Sequence, residues 1–220
     1  MRHMNQDSAT STDTARRRNP RGHGDRLRAE ILAAVARLLD EKLTDNALPV
    51  SLREVAREVG IAAQSMYLHF ADKEQLARAV AEDGYQRVVA EMREADARAA
   101  GRGADASERL RAQANAFCAF AVAERGVIRM MFGHDASSFG EPGQEHPARL
   151  LWQQWVDAVH ACEGEGLRWP DGVESAALLL WSALFGRFAL WTTAFGQRDQ
   201  DELTSLVDRV VDAVLRDGNR

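Results

Sequence analysis

Residues 51–76 read SLREVAREVGIAAQSMYLHFADKEQL, and this stretch decides the fold. Ser51 followed three residues later by Glu54 is a capping-box pattern, which starts a helix at Leu52. Leu52, Val55, Ala56 and Val59 give that helix one apolar stripe. Gly60 can take the left-handed backbone that ends a helix. A second short helix follows at once, with Met66 and Phe70 turned inward. Two short helices joined by a tight glycine turn form a helix-turn-helix. The run before them, with Leu27, Ile31, Leu32, Val35, Leu38 and Leu39 at helical spacing, supplies a third wall and a core.

In such a pair the second helix enters the DNA major groove with its N-terminal residues against base edges. Here those residues are Ala62, Ala63, Gln64 and Ser65, small or amide-bearing and none acidic. Gln64 can pair bidentately with adenine, Ser65 can bond several bases, and the alanine methyls can meet a thymine methyl. The helix has no Arg or Lys to read guanine, and Leu68 is its one outward apolar residue. The alternative is a plain three-helix packing unit, whose outward residues would more often be long and charged.

Residues 58–76, EVGIAAQSMYLHFADKEQL, resemble the DNA-binding signature of the TetR family of bacterial repressors. The matching positions are Gly60, Ile61, Tyr67, His69, Phe70, Lys73 and Leu76, and the resemblance covers roughly 26–76. It implies that Tyr67 and His69 bond DNA phosphates and that Lys73 adds charge at a helix N-terminus facing phosphate. It also implies that Ser51 caps the second helix and touches phosphate. Arg53 and Arg57, on the exposed face of that helix, are candidates for backbone contact. Two positions depart from the family pattern. Ala62 stands where a capping serine is usual, which typically costs about 1 kcal/mol of helix stability. Gln64–Ser65 stands where Gly-Thr is common, which changes the operator sequence and leaves the fold alone.

Outward from this motif, charge is uneven. Residues 1–72 hold 11 Lys+Arg and 10 Asp+Glu, a balance of +1, and residues 73–220 hold the remaining 17 and 23, a balance of −6. Arg16, Arg17, Arg18 and Arg21 stand together without an acid, so residues 1–24 read as a flexible basic arm that can enter a flanking minor groove. The bland reading is that arginine is this chain's habitual cation, since only Lys42 and Lys73 are lysines. The net charge of −5 argues against coating a polyanion with the whole surface.

The rest of the 220 residues reads as helix, giving an all-α chain of about nine helices. Expected spans are 26–43, 51–59, 62–69, 73–99, 106–124, 126–132, 147–163, 173–195 and 200–216. The expected domains are a helix-turn-helix head at 25–72 and, as the resemblance implies, a ligand-binding and dimerisation domain at 73–220. Phe117, Phe120, Met130, Met131, Trp152, Trp155, Trp181 and Leu184 are candidate pocket residues, although ordinary core is an equal use of such side chains. His134, Gln153, His160 and Arg187 are polar groups that could orient a ligand. Residues 176–195 carry a single charge, Arg187; a helix buried on most sides explains this better than a membrane span. The last two helices are the candidate homodimer interface, with Leu203, Leu206, Val207, Val210, Val211 and Val214 as an apolar stripe and Ala183, Gly186 and Ala189 allowing close approach.

The expected function is therefore a ligand-responsive, operator-binding repressor acting as a cytoplasmic homodimer. The alternative is a helix-turn-helix DNA-binding protein without ligand control. No nucleophile elbow, Gly-rich phosphate loop or helical metal-ligand spacing is present, so neither an enzyme nor a metal or other cofactor is expected. Cys118 and Cys162 lack an adjacent histidine and read as small buried apolar residues.

Overall fold

The computed structural model describes residues 23–42, 50–133, 146–193 and 200–219, and these form nine α-helices and no strand. In chain order they are α1 (His23–Glu41), α2 (Leu52–Val59), α3 (Ala63–Tyr67), α4 (Lys73–Ala100), α5 (Ala106–Ala123), α6 (Arg125–Phe132), α7 (Ala148–Cys162), α8 (Gly172–Thr193) and α9 (Gln200–Gly218). A short 3-10 turn, Glu163–Glu165, extends α7. The architecture is the all-helical one the sequence predicts. Arg16, Arg17, Arg18 and Arg21 of the basic arm, and His134, lie outside the described residues.

Two apolar cores organise the helices. The first gathers Ile31, Val35, Leu39, Val55, Met66, Phe70, Leu76 and Val80 from α1 to the start of α4. The second joins the rest of α4 to α5, α7, α8 and α9 around Tyr85, Met92, Leu110, Phe117, Trp155 and Leu180. Helix α4 therefore serves both, its first two turns in one core and its remainder in the other.

Helix α6 is the seam between them. Met130 enters the first core while Val127, Ile128 and Met131 enter the second. Its N-terminal turn meets the end of α1, where the Gly126 N–H donates to Asp40 Oδ1 at 2.7 Å. A Cβ on Gly126 would stand 2.5 Å from the carbonyl carbon of Leu39, so only glycine permits this approach. Burial pushes the Asp40 carboxyl above its ordinary range, against the pull of the Gly126 N–H. On the α4 side, the Tyr85 hydroxyl donates to the Met131 carbonyl at 2.8 Å, and Arg87 donates to both oxygens of Glu124 at 2.7 and 3.1 Å.

A polar chain crosses the second core. Arg93 donates to Gln154 (2.8 Å), Gln154 to Gln113 (2.7 Å) and Gln113 to Asp96 (3.0 Å), which also receives Arg109 (2.9 Å). Both glutamines are buried, and a buried amide without partners is costly, so the chain fixes the register of α4, α5 and α7.

Two expectations about the last helices change. Helix α8 is not buried on most sides: 28% of its most apolar stretch is buried in the single chain. Ala177, Leu180, Leu184 and Phe188 face the core, and Leu178, Leu179 and Leu190 face outward. By length and composition α8 could cross a membrane, but its inner face is part of the bundle core. Part of the α9 stripe, in contrast, is used inside the chain. Val207, Val211 and Val214 are buried in the second core and Val210 is half-buried against it, Arg111 of α5 holds α9 through Asp208 and Asp212, and the Leu203 side chain lies outside the described residues.

Candidate functional site

Local rules position α3. The Ser51 side chain accepts from the Glu54 N–H at 3.2 Å and starts α2. Only half of the expected capping box forms. The Glu54 carboxylate turns instead to Lys42, which holds it below the usual carboxylate range and ties α2 to the end of α1. Gly60 sits at φ 76°, and its N–H and that of Ile61 return to Arg57 and Ala56. This closes α2 and turns the chain sharply into α3.

Helix α3 itself is shorter than the expected 62–69. Ala62 makes no side-chain cap, and the last turn tightens into 3-10 bonds, Leu68 N–H to Ser65 (3.2 Å) and His69 N–H to Met66 (3.0 Å). Met66 and Phe70 are fully buried and anchor the helix from below, with the Arg28 guanidinium 4.8 Å over the Phe70 ring. Asp72 then caps α4 by accepting from Gln75 N–H at 2.7 Å, while the Gln75 side chain accepts from Ala71 N–H. This reciprocal clamp sets Lys73 at the N-terminus of a 28-residue helix.

The outward face is the informative one. Ala62, Ala63 and Gln64 are exposed, Ser65 and His69 are half-buried, and Tyr67 is 50% and Leu68 83% exposed. Ser51, Arg53, Arg57 and Lys73 are also exposed. The two acids of α2 are paired: Glu54 with Lys42, and Glu58 with Arg37 at 3.4 Å. An uncharged, small-residue edge is thus flanked by free cations and by hydroxyl and imidazole donors.

The candidate pocket residues divide. Phe117, Phe120, Met131, Trp155 and Leu184 are buried in the second core, with Trp152 and Trp181 half-buried beside it. Met130 stands apart, in the first core. Phe117 meets Trp155 edge-on at 5.5 Å, and Phe132 connects Tyr85 (5.7 Å), Trp181 (5.9 Å) and Phe185 (4.5 Å). Gln153 and His160 lie on the outside of α7, bonded to Asp157 and Glu163, so they do not face the core. Among the described residues, three buried side-chain N–H donors have no hydrogen-bond partner: Nε1 of Trp155, Nε1 of Trp181 and Nε of Arg187. Both cysteines are buried, their thiols pushed up to about 12 (Cys118) and about 11 (Cys162) by desolvation, which favours the neutral thiol.

Residues 31–80 match the family model described as bacterial regulatory proteins, tetR family. Residues 110–214 match the model described as tetracyclin repressor-like, C-terminal domain. No curated protein matches the chain. Among solved structures, a Rhodococcus sp. RHA1 protein of unknown function superposes with a TM-score of 0.70 at 25% identity, covering 92% of this chain and 100% of that one. The fatty acid degradation regulator FadR from Bacillus halodurans gives a TM-score of 0.68 at 17% identity, with 85% and 93% covered. Thermus thermophilus FadR, a TetR-family transcriptional repressor in complex with lauroyl-CoA, gives 0.61 at 17% identity, with 86% and 94% covered. Likenesses at 17% identity speak to the fold alone.

Proposed function

This chain belongs to the tetR family of bacterial regulatory proteins, and from that premise we propose that it is a cytoplasmic, ligand-responsive repressor that releases a palindromic operator when a small molecule enters its second core. The observation that carries the DNA half is the exposed, charge-poor edge of α3 beside Tyr67, with Glu54 and Glu58 of the neighbouring α2 each paired to a cation. Ala62, Ala63, Gln64 and Ser65 would read base edges. Ser51, Arg53, Tyr67, His69 and Lys73 would hold phosphates, with Arg17, Arg18 and Arg21 of the arm in a flanking minor groove.

A second copy is the proposed partner. Leu178, Leu179 and Leu190 leave an apolar face on α8, and Gly186 on the same helix has open space where a Cβ would stand. Two-fold pairing there would set two α3 helices about one DNA turn apart, roughly 34–36 Å. The α9 contribution is smaller than its sequence stripe implies, since its valines pack inward.

For the effector, the three unpartnered donors support the reading. All are N–H groups, one of them on a guanidinium, so a fitting ligand brings an apolar body and hydrogen-bond acceptors, as an aromatic or fatty acid does. Phe117, Phe120, Met131, Trp152, Trp155, Trp181 and Leu184 would supply the apolar wall. A ligand that prefers one setting of α4 shifts the heads. Coupling of about 1–3 kcal/mol would change operator affinity roughly 5- to 150-fold.

Selection of bound sites from random duplexes, repeated with Tyr67→Ala, tests the DNA half. The wild type should recover a partly palindromic site, and Tyr67→Ala should lose about ten-fold in affinity at every sequence, the cost of a hydrogen bond to a charged group. Loss confined to one base pair would mean that Tyr67 reads bases. Tryptophan fluorescence against a panel of aromatic and fatty acids tests the ligand half. Saturable quenching that also weakens operator binding supports it, and silence across the panel favours a DNA binder without ligand control.

A further inference from the structure

Leu68 is the most exposed large apolar side chain among the described residues, 83% open, and it stands at the end of the helix meant for DNA. Single exposed leucines are common on protein surfaces, and what sets Leu68 apart is its place on the helix proposed to face DNA. The backbone at Leu68 is still helical, at φ −75° and ψ −21°. It therefore falls one turn beyond Gln64, four residues on, and shares its face. That face is opposite Met66 and Phe70, both fully buried. With those two seated in the head, Gln64 and Leu68 point together away from the protein.

The chemistry at that place is narrow. Tyr67 and His69, on either side of Leu68, carry polar tips suited to phosphate, and Leu68 carries none. The one apolar group that a base pair presents in the major groove is the thymine 5-methyl. We propose that Leu68 is a specificity-determining residue that reads a thymine methyl in each half-site, next to the base read by Gln64. This rests on the DNA-binding reading of α3 given above. Residues 62–69 contain no acid to repel the duplex.

The test removes only the methyl. In the duplex selected by the wild type, each thymine of one half-site is replaced singly by deoxyuridine, and affinity is measured for the full-length protein and for Leu68→Ala. At one thymine the wild type should lose about four-fold, the transfer value of a single buried methyl-sized group. Leu68→Ala should bind the thymine duplex as weakly as the wild type binds the deoxyuridine one, and should show no further loss on the replacement. Because Leu68 is exposed, its thermal midpoint should match the wild type. The proposal is overturned if no thymine responds, or if the same thymine responds equally in Leu68→Ala. Selection of no duplex at all overturns the DNA reading together with this inference, whereas an operator indifferent to its methyls removes this inference alone.

Discussion

The head and the bundle expose apolar surface in opposite ways. In the head, Tyr67 and Leu68 lie at the end of a five-residue helix whose other side is pinned by Met66 and Phe70. In the bundle, Leu178, Leu179 and Leu190 lie along a 22-residue helix whose inner face builds the second core. The head turns its functional groups to solvent, so buried and working residues separate by helical phase. The bundle turns its tryptophans and phenylalanines inward, where packing and the proposed ligand wall would draw on the same side chains. Residue type carries information about function in the first region and much less in the second.

The sharpest way to break this comparison is to charge the bundle's outward face. If a second copy covers it, Leu179→Arg places two arginines near the two-fold axis and removes two buried leucines, each worth about 1.5–3 kcal/mol. The dimer should weaken by more than 100-fold, read by sedimentation, while the helix content of each chain is unchanged. An unchanged dimer would mean that the face meets something other than a second copy.

Next in size is Phe70→Ala, which empties the centre of the head at a cost of about 3–5 kcal/mol. Two cores joined by α4 and the α6 seam should then separate: the head melts early, operator binding is lost, and the dimer and the bundle's far-UV signal persist. A single transition lowered as a whole would show that α6 welds the cores into one cooperative unit.

Much of this was legible beforehand. Ser51 and Gly60 marked the limits of α2 in the sequence because caps act locally, whereas Asp72 and Asp105, which cap α4 and α5, went unread. What the sequence hid was tertiary choice. Met130 and Met131 are identical neighbours, yet one enters each core, since the split depends on where α6 crosses α1 and α4. Glu54 carries the capping-box signature, but an ion pair with Lys42 outcompetes the second half of the box. The valines of α9 form a clean stripe whether they face inward or a partner, and periodicity cannot choose between these. Ala62 is legible as a missing cap, but α3 loses its length at the other end, where i→i−3 bonds replace the last turn. The unpartnered donors of Trp155, Trp181 and Arg187 had no sequence signature except the charge at Arg187 within an apolar run.

The seam offers the smallest and most delicate test. Asp40 accepts from Gly126 N–H, yet burial, the largest influence on it, raises its pKa in the fold. A carboxyl with a raised folded pKa stabilises fully only below its unfolded value, and the contribution is lost as pH rises through the folded value. Asp40→Asn keeps an amide oxygen for Gly126 and removes the buried charge. Urea midpoints of the two proteins should therefore diverge as pH climbs out of the carboxylate range toward neutrality, with the asparagine protein the more stable at pH 7. Asp40→Ala, which leaves the Gly126 N–H without an acceptor, should be less stable than both at every pH. If the wild type instead gains on the asparagine protein as pH rises, the hydrogen bond from Gly126 outweighs desolvation. The seam would then depend on charge, and head and bundle would be coupled through an ionised Asp40 instead of through close packing at Gly126.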